Sequence, residues 1–111
     1  MPLFVTQGRF TPEAIRGMLA KPQDRAEAVR KLFAQSGGTL IGYYMTFGDY
    51  DFLVISDGPD EGVAISTIVT AASGEVQDLK TCLAVTSADM KKSFAKAGKV
   101  AASFAPAIAA E

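Results

Sequence analysis

The stretch TLIGYYMTFGDYDFLVISD, residues 39–57, decides how the rest of the chain is read. Two β-rich runs, Leu40 to Phe47 and Tyr50 to Ser56, flank Gly48-Asp49. Glycine at the first position of a two-residue loop is the signal of a type II′ hairpin, because glycine takes a positive φ without steric cost. That register sets Phe47 opposite Tyr50, Met45 opposite Phe52 and Tyr43 opposite Val54. One face then carries Ile41, Tyr43, Met45, Phe47, Tyr50, Phe52 and Val54, since opposed residues share a side. The other carries Leu40, Gly42, Tyr44, Thr46, Asp51, Leu53 and Ile55. Both faces are apolar except for the polar knot Tyr44/Thr46/Asp51, so the hairpin requires a cover on each side.

Outward from the hairpin, Leu3 to Phe10 alternates as a first strand, with Phe4, Thr6 and Gly8 on one side and Val5, Gln7 and Arg9 on the other. Thr11-Pro12-Glu13 starts a helix, with Thr as N-cap, Pro at the first position and an acid beside the positive helix end. Ile15, Met18 and Leu19 form its expected apolar face. Pro22 breaks that helix and is expected to start another, whose stripe is Ala26, Val29, Leu32 and Phe33 and whose end is Gly37-Gly38. Arg25, Arg30 and Lys31 read as its solvated face. Pro59-Asp60-Glu61 opens a further helix, with Pro59 at the first position, which Gly74 ends. Glu75 to Val85 reads as the last strand, with Val76, Asp78, Lys80, Cys82 and Ala84 on one face and Gln77, Leu79, Thr81, Leu83 and Val85 on the other. A tail helix, capped by Ser87, repeats Met90, Phe94, Ala97, Ala101, Phe104 and Ile108 at helical spacing, with Pro106 near its end.

The order β-α-β-β-α-β plus a C-terminal helix predicts an α+β, ferredoxin-like fold. Right-handed crossovers put the helices on one face of a four-stranded antiparallel sheet. The other face is left open, which predicts a homodimer or higher homo-oligomer joined through the face that carries Tyr43, Met45, Phe52 and Val54, the alternative being a monomer with the tail helix folded across it. Residues 1–111 read as a single domain, with residues 86–111 as a helical extension.

Composition narrows the chemistry. A net charge of −1 with scattered basic residues speaks against nucleic acid and anionic membrane as partners. Arg9, Pro12, Glu13 and Arg16 interrupt any leader or membrane-spanning run. One cysteine, Cys82, excludes an internal disulfide, and the expected location is cytoplasmic. The chain has no histidine, which removes Ser-His-Asp triads, Cys-His pairs and histidine-based metal or haem sites. With no P-loop, dinucleotide fingerprint or metal-ligand spacing either, no cofactor and no metal is expected.

Gly48-Asp49-Tyr50-Asp51, preceded by Tyr44 and Thr46, resembles the Y-x-T-x-G-x-Y-D signature of the GYD domain family, small bacterial proteins of the dimeric α/β barrel group. Pro59-Asp60, Gly37-Gly38 and Gly74-x-Val76 are similar to that family too, over about residues 2–95. The resemblance implies a ferredoxin-like dimer and no established activity.

The candidate ligand site is Thr6, Tyr44, Thr46 and Asp51, expected to converge near the hairpin turn. Gly48, Tyr50 and Asp51 carry the motif. A carboxylate beside a phenol and a hydroxyl can orient a small organic ligand or abstract a proton. The same groups also suit a structural network in which Asp51 accepts from Thr46 and turn amides. Arg9 is a weaker anion anchor, and Cys82 reads as a small hydrophobe. Two functions follow: a homodimeric module with a pocket between sheet and helices, or a cofactor-independent monooxygenase or isomerase by analogy of fold.

Overall fold

The structure, a computed structural model, describes residues 2–107. Its elements are β1 (Leu3–Phe10), α1 (Pro12–Ala20), α2 (Arg25–Gln35), β2 (Thr39–Met45), β3 (Phe52–Asp57), α3 (Asp60–Ala72), β4 (Val76–Ala84) and α4 (Ser87–Ala101). All strand pairs are antiparallel, in the order β2-β3-β1-β4. This is the ferredoxin-like α+β arrangement that the element order predicts.

Capping explains the helix starts. Thr11 Oγ1 accepts from the Ala14 N–H at 3.2 Å, as expected of an N-cap before Pro12. Asp24, not Pro22, starts α2: its carboxylate accepts from the Ala26 N–H at 2.9 Å. Pro59 and Thr86 are the N-caps of α3 and α4, one residue before Asp60 and Ser87, which begin those helices. Gly37 (φ +88°) and Gly74 (φ +76°) end α2 and α3 in the left-handed conformation that glycine adopts freely. Within α1, Ala14 and Met18 pack on the core, while Ile15 and Leu19 are exposed.

The core consists of Phe10, Phe33, Leu40, Phe52 and Val54, between the sheet and α1–α2. Phe52 and Val54 are each 4% exposed. Gly8 makes room for the Phe52 ring, which lies 2.7 Å from where a Cβ on Gly8 would stand. The face carrying Tyr43, Phe52 and Val54 is therefore the helix-covered one. The expectation that it joins two subunits is overturned, because the helices already bury it. The open face carries Leu3, Val5, Leu53, Ile55, Cys82 and Ala84, as the β1 pairings with β3 and β4 require.

Two bulges account for the other side-chain misplacements. Tyr43↔Val54 and Met45↔Phe52 pair as expected, but Ile41 is an extra residue between Leu40↔Ser56 and Gly42↔Ile55. The insertion moves Leu40 onto the core face, where it is buried, and leaves Ile41 exposed. In β4 the register shifts between the Gln7↔Lys80 and Arg9↔Gln77 pairs, and Asp78 has φ +54°. Val76 and Leu79 consequently both reach the core, instead of lying on opposite faces.

The turn differs from a two-residue hairpin as well. β2 ends at Met45 and β3 starts at Phe52, so six residues connect them. Gly48 has φ +159°, a positive angle that favours glycine but lies far from the ~+60° of a II′ turn. Helix α4 projects from the body, and Met90, Phe94, Val100 and Phe104 are exposed along it and just past its end. The Cα radius of gyration of 18.5 Å, against ~13 Å for a compact chain of this length, reflects that projection. Ile108, expected on the same stripe, lies outside the described residues.

Candidate functional site

Polar side chains gather at two places on this scaffold: the end of the β2–β3 hairpin and the mouth of a cavity beneath the sheet. At the hairpin end the Asp51 carboxylate accepts from the Phe10 N–H at 2.9 Å. The Asp51 N–H donates to the Gly8 carbonyl at 2.8 Å, and its carbonyl accepts from the Thr46 N–H at 2.8 Å. Thr46 Oγ1 donates to the Tyr50 carbonyl at 2.7 Å. Together these bonds fasten the connecting loop to the end of β1, prolonging strand pairing past Phe52.

The four residues expected to converge do not. Thr6 pairs with Val54 and therefore faces the helices, where its Oγ1 lies 3.0 Å from that of Thr81. Tyr44 pairs with Leu53 on the opposite face and is exposed. A strand's alternation separates these two across the sheet. Thr46 and Asp51 do come together, at the hairpin end, and Tyr50 joins them through its backbone carbonyl. Gly48 is exposed in the loop, with nothing within 4 Å of a Cβ placed on it. Arg9 lies 4.0 Å from Asp78 in an exposed ion pair, and the Cys82 thiol is free and exposed.

The cavity has a volume of about 280 Å3 and lies between the sheet and helices α2 and α3. Phe10, Val29, Phe33, Phe52, Val54 and Leu79 give it apolar walls, and Thr6 also lines it. Tyr43 stacks on Phe52, with ring centroids 6.2 Å apart and planes 5° from parallel. Helix α3 contributes Ser66, Thr67 and Thr70, but each hydroxyl donates to the carbonyl four residues before it, at 2.9, 2.8 and 2.7 Å. Such back-bonding hides the polarity of that wall.

At the mouth, Arg25 Nη2 and Glu75 Oε2 form an ion pair at 2.9 Å, and Arg25 Nη1 donates to Gln23 Oε1 at 2.9 Å. Local structure fixes both partners. Arg25 is the first residue of α2, held by the Asp24 cap. The Glu75 carbonyl accepts from the Thr11 N–H at 2.9 Å, and Thr11 Oγ1 donates to the neighbouring Gly74 carbonyl at 2.8 Å. Arg25 and Glu75 line both the cavity and an outer groove beside α1. The Arg25 side chain is only 23% exposed, so it does not belong to the solvated face assigned to it from charge. Its position four residues before Val29 was the available signal, since i and i+4 share a helix face.

Tyr43 is the remaining polar group. Its hydroxyl has no hydrogen-bond partner among the described residues. Burial raises the pKa of this phenol above its ordinary value; nearby Arg25 opposes the rise, while Glu75 and Asp24 add to it. The hydroxyl is therefore a standing donor at neutral pH. No cluster of three or more potential metal ligands occurs among the described residues, and no described helix is long and apolar enough to cross a membrane.

No curated protein matches the chain at a significant level. Among solved structures, an antibiotic biosynthesis monooxygenase is 18% identical, with 78% of this chain and 98% of that one covered and a TM-score of 0.45. A protein of Thermus thermophilus is 19% identical, covering 78% and 96% at a TM-score of 0.44. A hypothetical protein of Pyrococcus horikoshii is 17% identical, covering 78% and 92% at a TM-score of 0.42. The GYD domain model matches residues 4–94, a span that runs from β1 into α4 and includes the hairpin end and the whole cavity. The chain belongs to the GYD domain family.

Proposed function

We propose that this chain is a homodimeric binding module that holds a small organic molecule between its sheet and helices α2 and α3. The cavity carries the reading. At about 280 Å3 it approaches the size of small-ligand sites, and it joins apolar walls to a donor that the protein leaves unused. The sequence-based site residues divide under this reading: Thr6 lines the cavity, while Tyr44, Thr46, Gly48, Tyr50 and Asp51 stay outside it. The alternative, a cofactor-independent monooxygenase or isomerase, needs a base facing the substrate. Asp51 is turned to the Phe10 amide, and Glu75 is paired with Arg25. Binding is the better-supported function.

A second copy is the proposed cover for the open sheet face. Its centre, Val5, Leu53, Ile55 and Cys82, is apolar, with the single charges Lys80 and Asp57 on the same face, a pattern that suits a second copy. A four-stranded face measures roughly 19 by 26 Å, or ~1,000 Å2 over two copies. The exposed apolar stripes of two α4 helices bring the total toward the ~1,200–2,000 Å2 of stable interfaces. Cytoplasmic location belongs to the same reading, resting on a free thiol and no disulfide.

Bare naphthalene, followed by ligand-detected NMR, tests the cavity: saturable binding is expected. Thr70→Phe, which aims a ring into the cavity at the loss of one back-bond, should abolish that binding without lowering the melting temperature by more than a few degrees. Wild type without saturable binding, or binding undisturbed by Thr70→Phe, overturns the cavity. Sedimentation tests the dimer, and so does Cys82, whose thiol should resist a disulfide reagent until dilution separates the copies. A monomer at micromolar concentration with a fully reactive thiol refutes it.

A further inference from the structure

The cavity reading leaves open what class of molecule enters, and the charges at the mouth narrow it. Within electrostatic reach of the Tyr43 hydroxyl stand one guanidinium, Arg25, and two carboxylates, Glu75 and Asp24. Glu75 pairs with Arg25 directly at 2.9 Å, while Asp24 is engaged by the Ala26 N–H rather than by a cation. An entering carboxylate would therefore meet, around Tyr43, a net negative set of charges whose one cation, Arg25, is already paired. A cationic group would meet attraction at the mouth, but it would shed its water among Phe10, Val29, Phe33 and Leu79 with no carboxylate inside to receive it. The hydroxyls on the α3 wall have their protons committed to backbone carbonyls. Thr6 Oγ1 is bonded to Thr81 Oγ1 and the Arg25 guanidinium is held by Glu75 and Gln23, so Tyr43 Oη is the neutral hydroxyl of the lining with no partner among the described residues.

We propose that the cavity takes a neutral, largely apolar molecule bearing one hydrogen-bond-accepting oxygen, and that Glu75 sets this preference against anions by holding Arg25. The inference rests on the cavity reading above and adds to it a chemical class and a specificity-determining residue. Tyr43 binds the oxygen. Glu75 acts at one remove: without it, the Arg25 guanidinium would be a free anion anchor at the same mouth.

Four probes of one shape separate the possibilities at pH 7: naphthalene, 1-naphthol, 1-naphthoate and 1-naphthylmethylammonium. With wild type, 1-naphthol should bind about tenfold or more tightly than either charged probe. Glu75→Gln should raise 1-naphthoate affinity about fivefold and leave 1-naphthol within twofold, with the gain shrinking in high salt. Tyr43→Phe should lower 1-naphthol affinity about fivefold, to that of naphthalene, and leave naphthalene itself unchanged. A charged probe binding as tightly as 1-naphthol to wild type overturns the inference, as does an unchanged 1-naphthoate affinity in Glu75→Gln. In either case, naphthalene binding that Thr70→Phe blocks leaves the cavity reading standing. Failure of all four probes removes both.

Discussion

The hairpin end and the cavity mouth each gather a carboxylate, a hydroxyl and an aromatic residue, yet they differ in what is left over. At the hairpin end, the Asp51 carboxylate, the Asp51 N–H and the Thr46 hydroxyl all have protein partners between 2.7 and 2.9 Å. At the mouth, Arg25 and Glu75 pair with each other, Asp24 adds a further carboxylate, and the Tyr43 hydroxyl has no partner among the described residues. A polar atom that closes the backbone is engaged, and one that closes nothing is free to bond a ligand or water. Under the proposed function the motif residues serve the fold, and the ligand is met by side chains outside the motif.

The sharpest way to break this contrast is Asp51→Ala. It orphans the Phe10 N–H and loosens the clip between the loop and β1, for an expected loss of ~1–3 kcal/mol. Asp51→Asn keeps an acceptor oxygen without the charge and should lose less. Neither variant should change naphthalene binding. Denaturant melts and one titration of each variant check this, and an Asp51→Ala protein as stable as wild type would return Asp51 to the list of functional groups.

A smaller loss, about 1 kcal/mol, is expected of Thr46→Val, which keeps the shape but removes the 2.7 Å bond to the Tyr50 carbonyl. Gly48→Val should cost a similar ~1 kcal/mol, because at φ +159° a β-branched side chain is strained even though the space around the glycine is open. Thermal melts of Gly48→Val that match wild type would show that the loop does not hold the glycine at that positive φ.

How far these places could be read from sequence follows from the range of the forces involved. Strand β1, the Thr11-Pro12 helix start and the Gly37 and Gly74 helix ends depend on local conformational preference, and they stand where the residues put them. The pairs Tyr43↔Val54 and Met45↔Phe52 were legible from alternation alone. Alternation carries no mark of a bulge, however, and each one-residue insertion transfers every side chain beyond it to the other face. Leu40 was misplaced in this way, as were Val76 and Leu79 relative to each other. Which face the helices cover is a further tertiary fact: with both faces of the hairpin apolar, periodicity could not choose, and the face taken for the dimer proved to be the core. The site was less legible still. Arg25 and Glu75 are far apart in the chain and meet because Thr11 ties the α3–β4 turn to α1. The motif drew attention to Asp51, because a carboxylate among aromatic residues looks the same in sequence whether its acceptor capacity is filled or free.

The smallest expected effect lies at Tyr43 and tests the other half of the contrast. Tyr43→Phe removes a hydroxyl without a protein partner among the described residues and retains the ring that stacks on Phe52, so stability near pH 7 should stay within ~0.5 kcal/mol of wild type. The difference should emerge in alkali. Burial, together with Glu75 and Asp24, raises the folded-state pKa of this phenol above its ordinary value near 10, and Arg25 only partly opposes the rise. Between the unfolded and folded pKa values the native state holds the proton more tightly. The corresponding stabilisation is fully present below about pH 10 and is lost progressively as pH climbs through the folded value. Wild type should therefore diverge from Tyr43→Phe from about pH 10 upward, with the two curves superimposed at neutral pH. Parallel curves across that range would mean a hydroxyl already in water, and a clear loss at pH 7 would mean a hydroxyl the fold itself relies on. Either result would make the mouth resemble the hairpin end and leave the cavity without its spare donor.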